Sequence, residues 1–121
     1  MPKAILIVDD ALSMRGLVAM TLKKEGYEVT EASDGKDALG KISVRKFDLI
    51  ISDLNMPVMK GIELVKAVKA LPQYRFIPIV MLTTEGHESK KAEGQQAGAK
   101  AWVVKPFKPE TLVGVVKKII G

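Results

Sequence analysis

Four short apolar runs in this 121-residue chain each stop at a group able to do chemistry. Residues 4–8 run into Asp9-Asp10, residues 48–52 into Asp53, residues 79–82 into Thr83-Thr84, and residues 101–104 into Lys105. If these runs are parallel strands of one sheet, their carboxyl ends share an edge. Carboxylates, a hydroxyl and an ammonium that lie far apart in the chain then converge at one point. Crowded carboxylates repel and raise each other's pKa. A hard divalent cation relieves that conflict, and Mg²⁺ characteristically takes one or two carboxylates and keeps several waters. Asp10 and Asp53 are read as direct ligands, with Asp9 acting through water and the Asn55 backbone carbonyl available beside them. Lys105 and Thr83 add donors for anionic oxygens, which makes a clamp for a phosphoryl group. A carboxylate can attack phosphorus and hold it as an acyl phosphate. Asp53 lies between the cation ligands and the donors and is the expected nucleophile.

Each of these residues also has an ordinary explanation. Asp9-Asp10 can cap a helix, Thr83 can cap the helix that follows it, and Lys105 can be a loop lysine. None of these explains why all of them follow runs that would finish side by side. Lys105 precedes Pro106, and an X-Pro bond is cis at modest cost. A cis bond here would turn the chain sharply and aim the lysine back at Asp53.

The elements that must position these groups alternate between strand and helix. Residues 4–8 are continuously apolar, as a strand covered on both faces is. Met14, Leu17, Val18, Thr21 and Leu22 recur at helical spacing, and Gly26 is a helix stop. Residues 27–32 alternate as a strand near an edge, and Asp34-Gly35 is a turn signal. Residues 36–44 read as a short helix with Ala38, Leu39 and Ile42 inward. Residues 48–52 form a strand, and Met56-Pro57 disfavours helix before Gly61. Residues 61–71 are helical, with Leu64, Val65, Val68 and Leu71 as the stripe and Pro72 as the stop. Pro78 opens the strand 79–82. Residues 87–97 form the weakest helix, with Gly94 inside and little to bury. Residues 101–104 are the last strand. Pro109 suits a helix first turn, with Leu112, Val115, Val116, Ile119 and Ile120 as the final stripe. Five strands alternating with five helices predict an α/β fold, a doubly wound parallel sheet. The order 2-1-3-4-5, that of flavodoxin-like folds, puts strands one and three together and Asp9, Asp10 and Asp53 at the topological switch point.

Length predicts one domain over residues 1–121. The chain has no cysteine, so a disulfide framework and a Cys metal site are excluded. No apolar run spans a bilayer, and residues 4–8 are too short for a signal-peptide core. A cytoplasmic protein is expected. The net charge is +5, but Lys23-Lys24, Lys90-Lys91 and Lys117-Lys118 lie on different predicted helices and read as solvated faces. The few aromatics are not interleaved with them, which argues against a nucleic-acid platform.

The run Ile7-Val8-Asp9-Asp10, the run Asp53-Leu54-Asn55-Met56-Pro57 with Gly61, Leu82-Thr83-Thr84, and Val104-Lys105-Pro106-Phe107 together resemble the receiver domain of bacterial response regulators over essentially the whole chain. The resemblance implies that Asp53 takes phosphoryl from a sensor histidine kinase. It implies Mg²⁺ held by Asp10, Asp53 and the Asn55 carbonyl, with Asp9 assisting through water. It implies that Lys105 and Thr83 bind the phosphoryl oxygens and report their arrival, and that the chain signals rather than turns over a substrate. The nearest likeness is to single-domain chemotaxis regulators, in which the positions of Asn55 and Glu85 influence how fast the phosphoryl is lost. Two residues depart from the usual pattern. Trp102 stands where Tyr or Phe is usual at the switch position, and Thr84 is bulkier than the common Ala and is expected to restrict access.

The expected signal follows. Thr83 moves to meet the phosphoryl oxygens, Trp102 turns inward, and helix 87–97 shifts. The partner face carries Lys90, Lys91, Lys100, Lys117 and Lys118, which suits an acidic downstream target, and the chain is expected to be a monomer. A relay shuttle outside chemotaxis is the alternative role. A haloacid-dehalogenase-type phosphatase needs a second Asp two residues after the nucleophile, where this chain has Asn55. A flavodoxin-like FMN carrier needs a hydroxyl- and Gly-rich loop where Asp9-Asp10 would repel phosphate. A degenerate docking receiver does not need the full acidic, hydroxyl and lysine set. His87, at a helix start, reads as a solvated residue or local cap.

Overall fold

The computed structural model describes residues 2–54, 56, 58–83 and 98–121. Five parallel strands form one sheet in the order β2-β1-β3-β4-β5, as predicted. They are β1 Ala4–Val8, β2 Glu28–Ala32, β3 Leu49–Ser52, β4 Ile79–Thr83 and β5 Ala101–Val104. Four described helices cover it: α1 Leu12–Lys23, α2 Gly35–Val44, α3 Gly61–Lys69 and α4 Pro109–Ile120. The expected helix 87–97 lies outside the described residues, as do Asn55, Thr84, Glu85, His87, Lys90 and Lys91.

The continuous apolar runs are explained by burial on two faces. β1, β3 and β4 are buried at every position. Leu6, Val8, Ile50, Ile79 and Met81 pack with α2 and α3 on one face. Ile5, Ile7, Leu49, Ile51, Val80 and Leu82 pack with α1 and α4 on the other. The period of two along each strand divides the residues in this way.

Helix boundaries follow local chemistry. Gly26 takes φ +91° just past α1, the left-handed conformation in which glycine pays no Cβ penalty. Asp34, read from sequence as a turn residue, caps α2: its side chain accepts the Asp37 amide at 2.7 Å, and the Asp37 carboxylate accepts the Ser33 amide at 3.0 Å. α3 stops at Lys69 rather than 71. Leu71, forced extended before Pro72, instead begins a single 3₁₀ turn, Pro72–Tyr74. α1 is rotated from the expected stripe. Val18, Ala19 and Leu22 are buried, while Leu17 and Met20 face a cleft against Pro109 and Val113 of α4.

Gly61 is required by close approach. A Cβ there would lie 2.3 Å from the Asp53 carbonyl oxygen and 2.6 Å from Met81 Cε. Gly40, mid-α2, has nothing within 4 Å of the same position. Gly61→Ala is therefore expected to lower stability by about 1–3 kcal/mol through overpacking. Gly40→Ala is expected to raise it by about 0.5–1 kcal/mol through helix propensity. Urea midpoints of the two variants check the pair, and a neutral Gly61→Ala would show that the Asp53–Leu54 backbone has room to move.

Candidate functional site

β1 and β3 pair in register from Ile5↔Leu49 to Val8↔Ser52, so the residues that follow them, Asp9 and Asp53, emerge side by side. The Asp53 amide extends the ladder by donating to the Val8 carbonyl at 2.9 Å. Asp9, Asp10 and Asp53 each offer a carboxylate oxygen, all within 4.8 Å of one another. Lys105 arrives from the far side of the sheet. Its amide donates to the Thr83 carbonyl at 2.7 Å, and Lys105–Pro106 is cis. Its ammonium lies 2.9 Å from Asp9 Oδ2 and 3.7 Å from Asp53 Oδ2. The predicted convergence of Asp9, Asp10, Asp53 and Lys105 is thus present.

The three carboxylates are not equivalent. Asp9 is buried and both its oxygens are engaged, Oδ1 by the Ala11 amide at 2.9 Å and Oδ2 by Lys105. The first contact holds the Ala11 amide just ahead of α1; Ala11 stands at the cap of that helix and no side chain caps it, so the ordinary cap reading of Asp9-Asp10 does not hold. Asp10 is exposed. Asp53 is half-buried, with Oδ1 accepting the Leu54 amide at 2.8 Å and Oδ2 turned toward Lys105. Burial pushes the Asp53 carboxyl above its ordinary range; Lys105 opposes this, and the charges of Asp9 and Asp10 add to it. Two carboxylates with accessible oxygens beside a third already satisfied make an oxygen-rich site of the kind a hard divalent cation fits.

Thr83 is fully buried at the end of β4. It lies on the same sheet face as Ile79 and Met81, the face against which Trp102 packs. Trp102 pairs with Met81 in the β4–β5 register and is half-buried against that cluster. The expected basic partner face is only partly described. Lys117 turns away from it to pair with Glu25, past the end of α1, at 2.9 Å.

Three features escaped sequence reasoning. The Arg15 guanidinium donates to the Asp9 carbonyl at 2.7 Å and pairs with Glu31 at 3.1 Å, tying α1 and β2 to the acidic loop. The available signal was a cation near the amino end of a helix, where the macrodipole favours anions. The buried Ser52 hydroxyl donates to the Asp53 carbonyl at 2.9 Å. Val58, between Asp53 and Gly61, takes φ +73°, a strained value for a β-branched residue.

The raised Asp53 pKa has a consequence for stability. Between the ordinary Asp value and the raised one, the folded state holds a proton that the unfolded chain has released. Stability therefore falls as pH rises through that window. In chelator-containing buffer, Asp53→Asn is expected to gain on the parent as pH rises from below about 4 toward neutrality. Urea unfolding at several pH values measures this, and a difference constant with pH would show that Asp53 titrates normally.

Comparison with known proteins agrees with this geometry. The curated chemotaxis protein CheY1 of Helicobacter pylori strain J99 is 39% identical over 119 residues, covering 97% of this chain and 96% of that protein. The phosphate regulon transcriptional regulatory protein PhoB of Pseudomonas aeruginosa is 41% identical over 118 residues, 98% of this chain but 52% of PhoB. The solved structure of Vibrio cholerae chemotaxis protein CheY4 superposes with a TM-score of 0.96 at 51% identity, covering 99% of this chain and 100% of that one. The family profile of the response regulator receiver domain matches residues 5–117, and with the acidic cluster and Lys105 at the sheet's carboxyl edge, the chain belongs to that family.

Proposed function

We propose that this chain is a phosphorylatable signalling receiver in which Asp53 accepts a phosphoryl group from a histidine kinase. The observation that carries the reading is the Lys105 ammonium set against both Asp9 and Asp53, from 96 residues away in sequence for Asp9. The Asp53 carboxylate attacks phosphorus, a P–O bond forms as the kinase's N–P bond breaks, and the imidazole leaves with the electron pair. Lys105 neutralises charge on the transferred oxygens. Asp9 keeps Lys105 oriented before the group arrives.

Receiver domains bind Mg²⁺ in this acidic pocket. In this chain Asp10 and Asp53 would hold the ion directly, with Asp9, whose oxygens are already engaged, assisting through water and the Asn55 carbonyl completing the protein set. When bound, the ion neutralises the carboxylates and the phosphoryl oxygens. Thr83 takes part in binding the phosphoryl oxygens, and Asn55, Thr84 and Glu85 tune its access and loss. Trp102, on Thr83's face of the sheet, carries the change to a downstream protein.

The 51% identity to CheY4 over the whole of its solved chain favours a chemotaxis role in the cytoplasm. The likeness to the receiver half of PhoB keeps a different phosphorelay as the second reading.

Incubation with acetyl phosphate and Mg²⁺ is expected to label the parent at an acid-stable, base-labile acyl phosphate and to change the emission of Trp102, the only tryptophan. Asp53→Asn is expected to do neither, and labelling of that variant elsewhere would overturn the assignment. Arg15→Met is expected to weaken Mg²⁺ binding by about tenfold, with Arg15→Lys intermediate, as for other groups that orient metal ligands. Calorimetric titration reads the affinity, and an unchanged value would place Arg15 outside the site.

A further inference from the structure

The sheet separates charge between its two edges. Acids gather at the carboxyl edge around Asp53. At the amino edge the described carboxylates are already engaged within the chain: Glu25 by Lys117, Glu28 by Arg45, and Asp48 by the Ala4 amide at 2.7 Å. Around the entrance to β4 the bases have no such match. Lys46, Arg75 and Lys100 form no ion pair with a described residue.

Phe76 stands among them and is 88% exposed. The Arg75 guanidinium lies 5.8 Å from its ring centroid. The turn that presents it is anchored, because the Tyr74 hydroxyl lies 2.9 Å from the Ile42 carbonyl and 2.8 Å from that of Arg45. Two clefts border the ring. One, about 330 Å³, is also lined by Lys46 and Phe47. The other, about 290 Å³, is lined by Lys69 and Lys100. An anchored, exposed aromatic with an adjacent Arg is the composition of an interface anchor. Water is a poor environment for it.

We propose that this amino edge docks an acidic segment of a partner protein. Phe76 enters an apolar socket on that segment, and its carboxylates meet Lys46, Arg75 and Lys100. A second copy of the chain is disfavoured, because it would bring a like-charged edge on a chain of net charge +5. A single ring is not a stacking platform for nucleic acid, and without an amphipathic helix it gives little purchase on a lipid surface. The dock lies at the opposite edge from Asp53, so a tethered partner leaves the phosphoryl site open, and docking is indifferent to the state of Asp53.

The test is an amide-shift titration of the ¹⁵N-labelled full chain with a synthetic Glu/Leu amphipathic peptide. A Glu/Ser counterpart, an oligo-dT and phosphatidylglycerol vesicles serve as the other probes. Shifts from the Glu/Leu peptide are expected to centre on residues 45–47, 75–77 and 98–100 and to weaken with salt. Binding is expected to fall at least about tenfold for Phe76→Ser and for the double variant Lys46→Glu, Lys100→Glu, and to persist in Asp53→Asn. The exposure of Phe76 keeps the remaining spectrum in place, so a loss reports the surface and not unfolding. Equal binding by Phe76→Ser or by the Glu/Ser peptide overturns the proposal. So do shifts spread over every lysine-bearing helix, binding to vesicles or oligonucleotide alone, and no binding to any probe.

Discussion

The buried contact between Lys105 and Asp9 sets the terms for the rest of the molecule. Both side chains are nearly excluded from water, at 9% and 4% exposure. Desolvating such a pair costs several kcal/mol per ion before attraction repays it, and an apolar pair of similar volume is often as stable or more so. Stability alone does not account for it. What the pair provides is a positive charge held in place next to Asp53, at the one edge where three carboxylates meet. The strand order makes that contact difficult to reach. Neighbouring strands lie about 4.8 Å apart, so β5 stands roughly 10 Å from β3 and about 14 Å from β1. The hydrogen bond from the Lys105 amide to the Thr83 carbonyl holds the backbone against β4, and the long side chain spans the remaining distance to Asp9.

This arrangement divides the labour among acids that look interchangeable. Asp9 has spent both oxygens, on Lys105 and on the Ala11 amide. Its own carbonyl is held by Arg15, which Glu31 holds in turn. Asp53 is fixed from behind by the Leu54 amide, the Ser52 hydroxyl on its carbonyl, and the absence of a side chain at Gly61. One carboxylate is therefore fully committed to structural contacts while the other keeps an oxygen turned only toward Lys105 at 3.7 Å, although both follow apolar strands in the same way. Burial raises the Asp53 pKa while Lys105 lowers it. Asp53 is thus a carboxylate whose charge is costly until something positive arrives.

Much of this was legible in the sequence, for identifiable reasons. β1, β3 and β4 are sandwiched between helix layers, so their short, largely apolar runs read as buried strands. Once the order 2-1-3-4-5 was inferred, chain direction put Asp9, Asp10, Asp53 and Lys105 on one edge, and the reach of the lysine side chain brings it to the acids. What failed was decided by tertiary contact. Leu17 was assigned inward on α1 by its spacing, yet it faces the α4 cleft, because a helix resting on a sheet beside another helix has two apolar neighbours and periodicity does not tell them apart. Asp34 was read as a turn because Asp-Gly serves both turns and caps, and only the Asp37 amide settles which. Arg15 and Ser52 act through backbone carbonyls, which carry no residue-type signature. Lys117 was placed on the Trp102 side by helix position, but Glu25, far away in sequence, draws it to the other side.

Packing also joins the carboxyl edge to Trp102. The pleat puts Met81 and Thr83 on one face of β4, and Met81 pairs in register with Trp102 of β5. On its other side Met81 Cε occupies the space that a Gly61 side chain would need, against the Asp53 carbonyl. Asp53 backbone, Gly61, Met81 and Trp102 are therefore contiguous, with a flexible thioether at the centre. Methionine adapts its shape at low cost, so it can follow a shift of the Asp53 loop or of the indole without opening a cavity. The proposed switch requires that a displacement at one end be passed to the other through this contact, and the Met81 side chain is the group placed to pass it.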